Sequence, residues 1–144
     1  MNITLDDRLT GSLGGLLGLR AAPDELSLAR TPRKQLGQRL MKALLQPVAP
    51  LAPADVYRIV PRRTWIRRKA EGTLTGPEFD GLFQLLRLRL LADLVFGDAA
   101  RALAWLNSPK TRLDGATPMD FATDALGFEA VQSWLHEIDQ GYFA

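Results

Sequence analysis

The chain has 144 residues, 47% of them hydrophobic, and a net charge of +2. With no cysteine and a single histidine, His136, it excludes disulfides and thiolate metal sites, and leaves any His-based metal site or catalytic triad one residue to build on. The apolar runs are too short to span a bilayer, and Asp6 and Asp7 argue against a basic n-region leading into a signal peptide. The expectation is therefore a soluble, cytoplasmic protein.

The charge is polarised. Residues 30–69 hold eleven Lys or Arg against one acid, Asp55, whereas residues 110–144 hold two bases and six acids. Taken in order, residues 1–30 are weakly patterned. Gly11, Gly14, Gly15 and Gly18 interrupt a Leu-bearing segment, a density that disfavours an isolated helix. This predicts a flexible N-terminal arm over 1–30. Thr31-Pro32 then signals a helix start, and Leu36, Leu40 and Leu44 recur at helical spacing as far as about residue 46. Pro47, Pro50 and Pro53 force an extended linker after it.

A short helix over 53–60 stops at Pro61, which opens a second helix over 62–71 closed by Gly72. Trp65 and Ile66 can face inward, which sends Arg62, Arg63, Arg67 and Arg68 outward. Two short helices joined tightly, the second studded with Arg, are the pattern of a helix-turn-helix. Five bases within residues 62–69, without an acid, point to DNA contact by Arg62, Arg63, Thr64, Arg67, Arg68 and Lys69. A solvated or internally paired basic face and an acidic protein partner remain the alternatives.

Thr75-Gly76-Pro77-Glu78 turns into a helix reaching residue 96, whose leucines cover more than one face. Such a helix is buried on several sides. Its surplus of apolar surface predicts a homodimer interface through Phe79, Phe83 and Leu90. Gly97 ends it and Asp98 caps the next helix, which reaches Trp105.

The most patterned stretch follows: Trp105-Leu106-Asn107-Ser108-Pro109, then Leu113-Asp114-Gly115-Ala116-Thr117-Pro118-Met119-Asp120-Phe121. Pro109 stops one helix, Gly115 supplies a positive-φ reversal, Thr117 caps, and Pro118 takes the first helical position. A helix from Pro118 to about Thr123 and another from near Asp124 to Gln140 complete the chain. Phe128, Val131, Leu135 and Ile138 form the apolar stripe of the second, with Trp134 expected at its edge and partly exposed. No stretch alternates with period two, so the fold class is all-α. His136 and the neighbouring acids form no catalytic or metal-ligating constellation, so no enzyme activity, metal or cofactor is expected.

The ordered combination W-L-x-x-P, then L-x-G-x-T-P-x-D-F, resembles the toxin-binding domain of Xre/MbcA/ParS-type bacterial antitoxins. The family usually has a second Gly where this chain has Asp114 or Ala116, and often Asn where it has Lys110. The resemblance runs from about Leu40 to Ala144. Beyond the arm (1–30), it implies an Xre-like helix-turn-helix section (31–77) and a helical dimerisation and toxin-binding section (78–144). It also implies a cognate RES-domain toxin that consumes NAD⁺, and operator DNA as the second partner. Trp134, Ile138, Asp139, Tyr142, Phe143 and Ala144 are the expected toxin contacts. Tyr142 and Phe143 either insert at the toxin's active-site cleft or fold back on Leu135 and Ile138. The alternative function is a stand-alone regulator whose C-terminal section only dimerises.

Overall fold

The computed structural model describes residues 3–19 and 25–141. Among them the fold is all-α, without a strand. In order the helices are α1 (Leu5–Leu16), α2 (Glu25–Arg30), α3 (Arg33–Leu44), α4 (Pro53–Val56), α5 (Arg62–Glu71), α6 (Gly76–Phe96), α7 (Ala99–Leu106), a 3-10 turn (Thr111–Leu113), α8 (Pro118–Phe121) and α9 (Ala125–Asp139). The chain divides into two compact units, 1–83 and 84–144, so the division falls inside α6. The 77/78 boundary expected from the sequence lies in the first turn of the same helix.

The N-terminal unit begins with a helix where the sequence reading expected an arm. Thr4 and Asp7 form a capping box: the Thr4 hydroxyl accepts from the Asp7 N–H and the Asp7 carboxylate accepts from the Thr4 N–H, both at 3.1 Å. These bonds hold the Asp7 carboxyl below its ordinary value. At the other end Arg39, on α3, donates to the carbonyls of Leu17 (3.1 Å) and Gly18 (3.0 Å), which α1 leaves unpaired. Leu9, Leu13 and Leu17 are buried, while a Cβ on Gly11 or Gly15 would meet nothing. Gly11 and Gly15 thus lie off the packed face while Gly14 is buried on it, and tertiary burial outweighs the low helix propensity.

Leu40, Met41 and Leu44 on α3, Leu51, Val56 and Val60 around α4, and Trp65 on α5 are likewise buried. Asp55 is a buried carboxylate that accepts from Arg58 Nε at 3.2 Å. Gly72, with φ 73°, ends α5 in the left-handed conformation. Thr75 and Glu78 make a second capping box at the start of α6.

In the C-terminal unit each helix is started by a short polar side chain. Asp98 accepts from the Ala100 N–H (2.8 Å), Thr117 from the Asp120 N–H (3.1 Å) and Asp124 from the Gly127 N–H (2.7 Å). Leu85, Leu86, Leu88, Leu91 and Ala92 from α6 are buried, as are Ala102, Trp105 and Leu106 from α7. Met119, Phe128, Val131, Trp134 and Leu135 from α8 and α9 are buried too.

Candidate functional site

The Arg-rich helix α5 is amphipathic in an unexpected register. Trp65 is buried, but Ile66 is 55% exposed, because a neighbour on a helix points about 100° away. The inward partner of Trp65 is its i+3 neighbour, Arg68. Arg68 Nε donates to Glu78 Oε1 at 2.8 Å and its Nη1 to Glu71 Oε2 at 3.2 Å. Its side chain is 18% exposed, so the expectation that it projects outward does not hold. Arg67 keeps a looser approach to Glu71, at 3.8 Å. Arg62, Arg63 and Lys69 are exposed and have no partner among the described residues. The α5 N-terminus, behind Pro61, has no side-chain cap. Two free guanidinium groups beside unpaired helix N–H groups form a surface suited to phosphate. Thr64 is half-buried on the same helix.

Of the expected dimer residues, Phe79 is buried in its own unit. Its ring stacks on Phe83 with centroids 5.3 Å apart, and Arg33, paired with Asp80, lies over its face. Phe83 and Leu90 are half-buried.

In the C-terminal unit the predicted reversal is present. Asp114 (φ 56°) and Gly115 (φ 88°) both take positive φ, and the loop closes through Gly115 N–H to the Lys110 carbonyl at 2.9 Å. Asp114 thus supplies a left-handed position without being glycine, as Asp can. The loop carries two cations onto an aromatic cluster. Trp105 and Trp134 meet edge to face with centroids 5.0 Å apart, and Phe96 tilts against Trp105 at 5.7 Å. Lys110 Nζ lies 5.1 Å from the centre of the Trp105 ring, and the Arg112 guanidinium 4.7 Å from that of Trp134. Burial pushes the Lys110 ammonium below its ordinary value. Arg112 is anchored by a two-point bond to Glu137, at 3.0 and 3.3 Å.

Trp134 is therefore 4% exposed, not a rim residue. Lying one position before Leu135 widens the stripe instead of leaving it. Both indole N–H groups are buried without a partner among the described residues. Ile138 is half-buried and Asp139 exposed at the end of α9. Tyr142, Phe143 and Ala144 lie outside the described residues. Among the described residues no group of three His, Cys, Asp or Glu could hold a metal, and no helix is long and apolar enough to cross a membrane. Sequence reasoning missed the stacking roles of Lys110 and Arg112, which no periodicity announces. It also missed the exposed Leu126, whose signal was its place off the apolar stripe.

Residues 91–141 match the family model described as the antitoxin Xre/MbcA/ParS C-terminal toxin-binding domain. A curated relative, an antitoxin Xre of Pseudomonas putida, is 38% identical over 93 residues, covering 64% of this chain and 58% of that protein. The chain therefore aligns with little more than half of that relative's length.

Proposed function

We propose that this chain, whose residues 91–141 are of the Xre/MbcA/ParS toxin-binding type, is an antitoxin that neutralises a partner toxin through its C-terminal unit. The observation that carries the reading is the agreement between that match and the Trp105-to-Phe121 reversal. There two positive-φ residues and a Thr cap build a tight reversal beside the Trp105–Trp134 cluster.

The toxin proposed is a RES-domain enzyme that consumes NAD⁺. Ile138, Asp139 and the Tyr142-Phe143-Ala144 segment are the residues proposed to meet it. Trp134 supports that end of α9 from within. In the N-terminal unit, Arg62 and Arg63 with Thr64, Arg67 and Lys69 are proposed to contact operator DNA, so that the antitoxin represses its own operon. A homodimer, with Phe83 and Leu90 at its interface, would present two such helices to two half-sites.

The test is co-expression with the neighbouring reading frame. Restored growth and a stable cellular NAD⁺ level support the reading. Growth arrest unchanged by the chain contradicts it and leaves a stand-alone regulator. Deleting residues 142–144 tests the inserted segment: full neutralisation by the shortened chain refutes that detail alone.

A further inference from the structure

The first turn of α9 lies against the end of α8 more closely than two helices ordinarily allow. A Cβ placed on Gly127 would stand 1.8 Å from the Phe121 carbonyl oxygen. This contact leaves a groove of about 440 Å³ between the two helices, lined by Asp120, Phe121, Asp124, Leu126, Gly127 and Ala130. Its apolar walls are unusually open: Leu126 is 81% exposed and Phe121 38%. Leu126 sits about 200° round the helix from Phe128, so it cannot join the buried stripe. Leu126 and Phe121 together give the groove an apolar face open to solvent.

The charge around the groove selects the occupant. No Lys or Arg lines the groove, and Glu137, farther along α9, is already paired with Arg112. Asp120 and Asp124 stand on the rim, and the exposed Glu129 follows Leu126 on α9. A polyanion would be repelled here. A polypeptide presenting an aliphatic side chain beside Arg or Lys would bury the groove and answer its charge.

We infer that the α8/α9 groove is a docking site for a basic, aliphatic-bearing segment of the toxin, at the end of α9 remote from Ile138 and Asp139. This rests on the antitoxin reading and adds to it a second contact area, anchored by Leu126 and Phe121. The toxin would then be gripped at both ends of α9, which spans about 20 Å at 1.5 Å per residue.

The experiment uses the full chain and the toxin encoded by the neighbouring reading frame, with affinity measured by calorimetry and helical content by circular dichroism. Leu126→Arg should weaken binding by roughly thirtyfold or more, as loss of an interface anchor does. Leu126→Met should bind like the wild type, and both should keep native helical content, since Leu126 is bare in the free chain. Glu129→Lys should slow association at low salt. Leu126→Arg binding within about twofold of wild type overturns the proposal. So does a Leu126→Arg chain that loses self-association yet binds toxin normally, because the occupant is then a second copy of this chain. A wild-type chain that forms no complex overturns the antitoxin reading itself, and the groove assignment with it.

Discussion

Arg68 and Glu78 hold α5 to the start of α6: Nε donates to Oε1 at 2.8 Å, and the same oxygen accepts from the Thr75 N–H at 2.9 Å. One carboxylate thus caps a helix and neutralises the most buried cation of an otherwise solvent-facing basic helix. Burial alone would raise the Glu78 carboxyl, but the bonds from Arg68 and Thr75 outweigh it and hold the group below its ordinary value of 4.5. A depressed carboxylate contributes stability above its unfolded pKa and loses it as pH falls through the folded value. The wild type should therefore lose stability below about pH 4.5 more steeply than Glu78→Gln. Urea melts at pH 7 and pH 3 check this. Arg68→Ala should lower stability at pH 7 and lessen its further loss at pH 3, because Glu78 then loses the bond that holds its carboxyl down.

The division of labour along α5 gives a second prediction. Arg62→Ala/Arg63→Ala should weaken operator binding and flatten its salt dependence by about two in log–log slope, since each lost phosphate contact removes about 0.9. Arg68→Met should leave that slope unchanged. Fluorescence anisotropy at several salt concentrations reads both. A flattened slope in Arg68→Met with an unaltered Arg62/Arg63 variant would reverse the assignment.

Gly127 has no room for a side chain. The atom in the way is the Phe121 carbonyl oxygen, backbone that cannot rotate aside. Gly127→Ala should destabilise the protein by about 3 kcal/mol or more. Gly81→Ala meets only the Ile59 side chain, nearest at 2.6 Å, and should cost less. Thermal melts of the two variants give the comparison.

Trp134 is a structural residue of the aromatic cluster. Trp134→Ala should cost about 4 kcal/mol, the range for emptying a large aromatic site. Any loss of neutralisation in that variant should accompany loss of helical signal. Arg112→Ala leaves the cluster in place and removes one stacked cation, so it should cost about 1 kcal/mol.

The Trp105-to-Phe121 reversal was legible because its signals are chemical: a proline, a glycine and a capping threonine, each with one backbone consequence. Helices α3 and α6 were legible from apolar spacing. Helix α1 was not, because four glycines in and just after it lower the local propensity while the Thr4–Asp7 capping box and the burial of Leu9 and Leu13 sustain it. The register of α5 was ambiguous because Trp65 and Ile66 are adjacent. Only the tertiary position of Glu78 decides that Arg68, and not Ile66, turns inward. The bareness of Leu126 depends on the closeness of two backbones, which Gly127 permits but does not by itself announce.

The central claim, that the C-terminal unit neutralises a toxin, is tested most directly by titration. Purified full-length chain is added to the toxin encoded by the neighbouring reading frame while NAD⁺ consumption is followed. The account predicts that consumption stops at a fixed, stoichiometric ratio of chain to toxin, and that Arg62→Ala/Arg63→Ala inhibits equally well. Undiminished NAD⁺ consumption in the presence of excess folded chain would contradict it.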